Sequence, residues 1–204
     1  MERTEALKKI ALLIGKDLRK LAHEHKITVF REGKTNKGWA GHTIERYLGL
    51  PLNSSQSPNF GSWELKTISL KHLKNKDLSI KETMAITMID PYNVERTKFE
   101  DSHLLTKLKK IVIAARIWEG KDEKSSMLHS VRTFDLDNPE IYEQIKADYD
   151  LVREAIIKKG FSSLTGRMGV FIQPRTKGPG HGSTSRAFYA RTSFLKKIFH
   201  IQQL

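Results

Sequence analysis

A glutamate and a lysine two residues apart, Glu64 and Lys66, are the residues whose types and spacing most suggest chemistry. They lie in an alternating apolar and polar segment that predicts a strand over 63–70, where residues two apart share a face. A carboxylate can hold a hard divalent cation through oxygen, and a neighbouring ammonium can orient or help deprotonate an attacking water. The pair therefore suits phosphodiester hydrolysis, although such pairs are also common as simple salt bridges on exposed strand faces.

The composition predicts a folded, basic protein. The chain has 204 residues, a formal net charge of +13 and 38% hydrophobic residues, which is too apolar for a disordered chain. It contains no cysteine, which excludes disulfides, a cysteine nucleophile and thiolate zinc sites. The charged N-terminus leads into only about six apolar residues, too few for a signal peptide or a membrane span. We therefore expect a single domain over 1–204, a cytoplasmic location and no membrane partner.

The positive charge is concentrated toward the C-terminus. Positions 161–204 contain seven Lys and Arg residues and no Asp or Glu, together with aromatic residues and a glycine-rich segment. Clustered cations displace the counterions condensed on a phosphate backbone, so this stretch predicts a surface for nucleic acid. A charge excess alone is equally compatible with a solvated basic face that has no specific ligand.

Hydrophobic periodicity predicts the elements that must position these groups. Apolar residues at spacings of three and four predict helices over 3–25, 42–48, 104–111, 141–159 and 194–199. Apolar or alternating runs of strand length lie at 84–89, 111–115, 170–173 and 188–190. Strands interleaved with helices indicate an α/β or α+β domain with a mixed central sheet.

Several short segments, in order along the chain, resemble the MutH family of mismatch-repair strand-nicking endonucleases and related restriction enzymes that cut at GATC. The segments are KGWAG at 37–41, IERYLG at 44–49, WELKT at 63–67, SHLLTKLKK at 102–110, the run over 167–177, and the pair at 188–189. This ordered set is more specific than any one of its motifs.

The resemblance implies a restriction-endonuclease-like fold, with a mixed central sheet flanked by helices and two lobes around a DNA cleft. It implies a Mg²⁺-dependent endonuclease that recognises a short, GATC-like duplex site and hydrolyses a phosphodiester bond. Glu64 matches a metal ligand of the family and Lys66 its water-positioning lysine. The implied catalytic residues are Glu45, Asn59, Glu64, Lys66 and Lys107, and the implied metal ligands are Asn59, Glu64 and Leu65.

Asn59 is the point at which the sequence departs from the family. The family has a metal-binding Asp in the loop before the strand, whereas this chain has Asn59 there, two residues closer to Glu64 than in the family. An amide oxygen is neutral and a weaker ligand for Mg²⁺ than a carboxylate. Three interpretations stay open: an engineered inactive variant, a naturally weakened site, and a catalytically dead DNA-binding relative.

The resemblance also implies residues that bind DNA. Arg175 and Lys177 match a base-reading and phosphate-contacting pair, and Tyr189 matches an aromatic residue near the adenine methyl group. These roles agree with physical chemistry, because Arg bonds bidentately to guanine and an aromatic edge senses a methyl group by contact. On a strand Phe188 and Tyr189 face opposite ways, and we expect Phe188 in the core. The implied set is Lys37, Gly38, Arg175, Lys177, Arg186, Tyr189 and Arg191.

Two functions of different classes stay open. The first is an endonuclease acting on double-stranded DNA, either a mismatch-repair nickase, which would admit an activator protein as partner, or a type II restriction enzyme. The alternative is a non-catalytic, sequence-specific DNA-binding module of the same fold. A general RNA-binding protein is disfavoured because no stacking-platform motif is visible.

Overall fold

A computed structural model describes residues 1–31, 34–50, 61–120, 123–178 and 184–201, so Asn59 lies outside the described residues. The chain divides into two compact units. The first takes the described residues up to position 50, those at 61–81 and those at 111–133. The second takes 82–110 and the described residues from 134 onward. No helix in these described stretches is long and apolar enough to cross a membrane.

The first unit begins with helices α1 (Arg3–Ala11), α2 (Leu18–Glu24) and α3 (Trp39–Tyr47). The single helix predicted over 3–25 is wrong, because the chain turns between α1 and α2 through Gly15, at φ 78°. The Asp17 carboxylate then accepts backbone N–H bonds from Arg19 and Ser126, each 2.9 Å long. This N-cap starts a new helix despite the unbroken apolar spacing.

The sheet of the first unit is mixed, as predicted. Its strands lie in the order β4 (Leu78–Ile80), β3 (Glu64–His72), β6 (Lys110–Ile117) and β7 (Leu128–Asp135). Strand β3 is parallel to β6, with Glu64 opposite Ile111, and antiparallel to β4. A separate antiparallel pair joins β1 (Phe30–Arg31) to β2 (Lys34–Thr35). The sequence predicted β3 and β6 but not β1, β2, β4 or β7.

The core of the first unit joins its helices to its sheet. Apolar side chains of α1, α2 and α3 are buried in one cluster with Leu65 of β3 and Val112 of β6. Trp39 and Trp63, two of the largest side chains, are essentially inaccessible within this cluster. Burying an apolar side chain of this kind contributes roughly 1.5–3 kcal/mol. The core therefore fixes both α3 and the start of β3, the two elements that carry the predicted carboxylates.

The described residues of the second unit form an antiparallel sheet and four α-helices. The sheet order is β5 (Met84–Met88), β9 (Arg186–Ala190) and β8 (Ile172–Thr176). The helices are α4 (Pro91–Arg96), α5 (His103–Leu108), α6 (Pro139–Lys159) and α7 (Thr192–Phe199). The sequence predicted all of these strands and helices except α4, with boundaries that differ by a few residues. The Tyr149 ring of α6 packs on Phe188 of β9 with centroids 5.7 Å apart.

A buried carboxylate fixes the turn that leads into β8. Asp148 of α6 is 2% exposed and accepts backbone N–H bonds of 2.7–2.8 Å from Val170, Phe171 and Ile172. Gly169 in the same turn has φ 76°, and a Cβ there would lie 1.9 Å from the Ile172 carbonyl oxygen. Only glycine fits this position without moving the backbone. The path of β8 is therefore set by Asp148 and Gly169.

Candidate functional site

Glu64 and Lys66 form an ion pair at the start of β3. The Lys66 Nζ atom donates a 2.7 Å hydrogen bond to Glu64 Oε1. The shared strand face predicted for the two side chains is confirmed by this contact. Glu64 is only 1% exposed, and Lys66 is half-buried.

The burial of Glu64 distinguishes its pair with Lys66 from an ordinary surface salt bridge. Removing a carboxylate from water is unfavourable, and a buried ion pair often adds little to stability. The alternative of a simple salt bridge on an exposed strand face therefore does not describe Glu64. A buried charge held beside one partner is the arrangement that active sites use to hold reactive groups.

The Leu65 carbonyl is directed away from β6. Ser69 O accepts a bond from Lys81 N at the end of β4, and Leu70 O accepts one from Trp118 N at the end of β6. Because successive carbonyls of a strand point to opposite edges, Leu65 shares the edge of Ser69. Strand β4 pairs only with residues 70–72, so among the described strands none reaches Leu65 at that edge.

The donor chemistry at this point fits a hard cation. The Glu64 carboxylate and the Leu65 carbonyl supply oxygen atoms, which Mg²⁺ prefers. The described residues contain no cluster of three or more His, Asp or Glu suited to a metal. The third metal ligand that the resemblance implies, Asn59, lies outside them.

Glu45 is a second buried carboxylate of the first unit. It lies in the C-terminal half of α3 and is 8% exposed. Helix α3 packs closely on β3, because a Cβ built on Gly41 would lie 3.7 Å from the Thr67 hydroxyl oxygen. Glu45 and Glu64 thus belong to two elements in direct contact.

Lys107 belongs to the second unit. It lies in α5 and is 5% exposed, which is unusual for a lysine. Ser102 fixes the start of α5, since its Oγ accepts a 3.1 Å bond from Leu105 N. The structure thus places Lys107 and Glu64 in different units.

Lys37 and Gly38 form the turn before α3. Lys37 is exposed, and the Gly38 N–H donates to Asn36 Oδ1 over 3.2 Å. A Cβ on Gly38 would lie 3.1 Å from the His42 ring, so glycine lets this ring pack against the turn. The turn presents a cation and backbone at the N-terminal end of a helix, where anions are stabilised.

Arg175 and Tyr189 share one face of the second unit's sheet. Tyr189 lies opposite Gln173, two residues before Arg175, and the Arg175 Cζ atom lies 5.9 Å from the Tyr189 ring centroid. Phe188 points to the other face and is 1% exposed, as predicted. Burial raises the pKa of Tyr189, an effect that the Arg175 charge opposes. The phenol is therefore neutral at physiological pH.

The remaining predicted DNA-binding residues have different surroundings. Lys177 is exposed just beyond β8, where its N–H donates to Ser185 O at 3.0 Å. Arg186 lies opposite Thr176 and so occupies the other face from Arg175. Arg191 donates to the carbonyls of Gly166, Met168 and Gly169 at 2.9–3.0 Å. Its guanidinium therefore supports the turn before β8.

Sequence reasoning missed two residues of this region. Asp148 interrupts the apolar face of α6 formed by Ile145, Tyr149 and Val152, and a polar residue at such a position was a detectable signal. Thr83 accepts a 2.9 Å hydrogen bond from Arg175 Nη1. It belongs to no motif, and its place beside Arg175 follows only from the strand order.

Comparison with known proteins finds similarity to one family. The family model described as "DNA mismatch repair enzyme MutH" matches residues 48–148. The DNA mismatch repair protein MutH of Shewanella sp. (strain MR-4) is 28% identical over 221 residues, covering 96% of this chain and 95% of that protein. The chain is thus similar to the MutH family over about half of its length, and to this MutH protein over nearly all of it. The family match includes Glu64, Lys66 and Lys107.

The MutH family is one of DNA endonucleases, and the mixed α/β fold agrees with the restriction-endonuclease-like class predicted from the sequence. The type II restriction enzyme Sau3AI of Staphylococcus aureus is 25% identical over 173 residues, covering 83% of this chain and 35% of that enzyme. A solved complex of the restriction endonuclease MvaI with cognate DNA is 14% identical. It covers 89% of this chain and 95% of that one at a TM-score of 0.37, which is too low to add to the assignment.

Proposed function

We propose that the protein is a Mg²⁺-dependent DNA endonuclease that recognises a short, GATC-like duplex site and hydrolyses a phosphodiester bond. The observation that carries the proposal is the 2.7 Å ion pair between Lys66 and the almost inaccessible Glu64. The pair lies within the stretch that matches the MutH family model. In this proposal residues 1–204 act as one endonuclease domain.

Three oxygen ligands would hold the metal ion: the Glu64 carboxylate, the Leu65 carbonyl and the side chain at position 59. A bound Mg²⁺ ion would polarise a phosphoryl oxygen and acidify a bound water. The ligand set is weaker than usual because Asn59 offers an amide oxygen in place of a carboxylate. Catalysis with Asn59 at this position is therefore expected to be slow.

The protein's own residues would prepare the water and the phosphate. Glu64 holds the Lys66 ammonium in place, and this ammonium would orient the attacking water and offset phosphate charge. Glu45 would add a second buried carboxylate, and Lys107 a further cation. Burial of these groups strengthens their electrostatic effect on the reacting phosphate.

Recognition would use the face of the second unit's sheet that carries Arg175 and Tyr189. Arg175 would bond to guanine O6 and N7, and the neutral Tyr189 would contact the adenine methyl group. Lys177 and the turn at Lys37 and Gly38 would contact phosphates, which position the protein without reading sequence. Arg186 lies on the other face, and the donors of Arg191 already bind carbonyls, so both are left out of the base-reading set.

Plasmid cleavage tests the proposal. Supercoiled plasmid containing GATC sites is incubated with the protein and Mg²⁺, with EDTA as control. Nicked circles would indicate a mismatch-repair type of nickase, and linear DNA would indicate a restriction type of enzyme. The activator protein expected for a nickase would increase nicking.

A second function is favoured by Asn59. If the metal site is too weak for chemistry, the protein is a sequence-specific DNA-binding module. Specific binding to a GATC duplex with no cleavage by the wild-type protein or by the Asn59→Asp variant would support this alternative and overturn the endonuclease.

A further inference from the structure

We propose that Thr83 is a positioning residue for sequence recognition, which holds the Arg175 guanidinium in the orientation that reads a base. The proposal rests on the proposed function, in which Arg175 contacts guanine. Its direct basis is the 2.9 Å hydrogen bond from Arg175 Nη1 to Thr83 Oγ1.

The strand order explains how two residues 92 positions apart meet. Thr83 immediately precedes β5, Arg175 lies in β8, and β9 runs between these strands. Neighbouring strands lie about 4.8 Å apart, which places β5 and β8 about 10 Å apart. The Arg175 side chain crosses β9 to meet Thr83 from the other side. It passes over the Tyr189 ring of β9 on the way.

The pairing register places the partners on one face. Ala85 of β5 lies opposite Tyr189, which in turn lies opposite Gln173 of β8. Thr83 is two residues before Ala85, and Arg175 is two residues after Gln173, so both share the face of Tyr189. The hydrogen bond therefore joins the two outer edges of one sheet face.

Fixing the guanidinium matters because Arg175 is exposed. A free arginine side chain samples many rotamers, and binding a base in one geometry requires it to lose that freedom. Contact with the Tyr189 ring attracts the cation but does not select which edge of the guanidinium faces outward. A hydrogen bond to one Nη atom does select an edge, and the guanidinium has further donors for the bidentate contact with guanine.

The aliphatic part of the Arg175 side chain is also supported, by the turn at Gly166. A Cβ built on Gly166 would lie 3.8 Å from Arg175 Cγ, so the aliphatic part of the side chain runs beside the turn at Gly166. Arg191 holds this turn by bonding the Gly166 carbonyl at 2.9 Å. With Thr83 at the far end, the side chain is held at its base and at its tip.

Paired substitutions at position 83 test the proposal. Thr83→Val keeps the shape of the side chain but removes the acceptor, whereas Thr83→Ser keeps the hydroxyl. The measurement is equilibrium binding to a GATC duplex and to a duplex with those four bases scrambled. We expect Thr83→Val to lower the ratio of the two affinities by about 5- to 20-fold, part of what one bidentate base contact contributes. Thr83→Ser should keep the ratio within about 2-fold, since the acceptor is retained.

Two controls separate positioning from general damage. Thr176→Val makes the same change in β8 on the opposite face and should leave the ratio unchanged. In an Arg175→Ala background Thr83→Val should have no further effect, because the two residues act through one contact. An unchanged ratio in Thr83→Val, or an equal loss with and without Arg175, would overturn the role of Thr83. A wild-type protein that does not distinguish the two duplexes would instead overturn the proposed recognition, and the role of Thr83 with it.

Discussion

At the scale of residues, the pair Glu64 and Lys66 shows which features of a site can be predicted from sequence spacing and which cannot. The period of a strand predicted that the two side chains would meet, and they do. It could not predict that Glu64 would be buried, because burial depends on the helices and strands packed around β3. A resemblance, and not a pattern of spacing, indicated Glu45 and Lys107, which are far from the pair in sequence.

Asn59→Asp is expected to increase Mg²⁺-dependent cleavage strongly. The change returns a charged oxygen to the ligand set and so strengthens metal binding. Single-turnover cleavage of a GATC duplex, measured over a range of Mg²⁺ concentrations, gives both the rate and the metal dependence. Asn53→Asp, the same change six residues earlier in the chain, is the control and should have little effect. No gain at position 59 would show that the metal ligand has been placed wrongly.

Arg175→Ala is expected to relax sequence preference, reducing discrimination between GATC and scrambled duplexes by roughly 1–3 kcal/mol. Lys177→Ala is the matched comparison two residues away, and loss of a phosphate contact should weaken binding to both duplexes equally. Binding curves at two salt concentrations distinguish the two variants. If Arg175→Ala weakens both duplexes in the same proportion, Arg175 contacts the phosphate backbone.

At the scale of elements, local polar interactions decided what apolar periodicity could not. The N-cap at Asp17 separates α1 from α2, although the apolar spacing continues through both helices. Strands β4 and β7 were not predicted, because their mixed polar and apolar residues show no clear strand pattern. They are strands because they pair with the central strands β3 and β6. The long helix α6 was predicted closely because its apolar face is extensive.

Gly169→Ala is expected to destabilise the second unit by roughly 3 kcal/mol or more, since it combines a positive φ with a backbone clash. Gly15→Ala is the matched control, because Gly15 has φ 78° but no atom within 4 Å of a Cβ. Strain alone should make that variant about 1 kcal/mol less stable. Urea unfolding measures the free energy of unfolding of both variants. An equal loss of stability in the two would contradict the backbone clash expected in the turn before β8.

Tyr149→Phe is expected to change how stability depends on pH. Burial raises the pKa of Tyr149 to about 12, above the value of about 10 for an exposed tyrosine. Between these values the unfolded chain loses the proton and the folded chain keeps it, so stability falls as pH rises. The phenylalanine variant should lack the part of this loss of stability that comes from ionisation of Tyr149. At neutral pH it should be about 1 kcal/mol less stable, because the bond to the Thr97 carbonyl is lost.

Urea unfolding at a series of pH values from neutral to strongly alkaline gives this comparison for Tyr149. The predicted result is that the stability curves of wild-type and variant converge above pH 10. Parallel curves throughout would show that Tyr149 ionises with an ordinary pKa and that its ring is less buried than the packing on Phe188 indicates.

At the scale of the whole molecule, composition and order of motifs predicted the class of protein better than its details. The net charge of +13 and the acid-free stretch over 161–204 indicated a polyanion partner, and the ordered motifs indicated the family. The sequence could not show that Arg186 and Arg175 occupy opposite faces or that Arg191 is engaged with carbonyls. Those distinctions depend on register and on turns that distant residues such as Asp148 hold in place.

Cleavage and binding measured together on variants of Glu64 and Lys66 test the central claim most directly. In the Asn59→Asp background, Glu64→Ala and Lys66→Ala should each abolish Mg²⁺-dependent cleavage of a GATC duplex, because they remove the metal ligand and the water-orienting cation. Both variants should keep nearly full affinity for that duplex, since neither residue grips the DNA backbone. Full cleavage by either variant, or loss of binding in proportion to the loss of cleavage, would contradict the assignment of this pair as the catalytic centre.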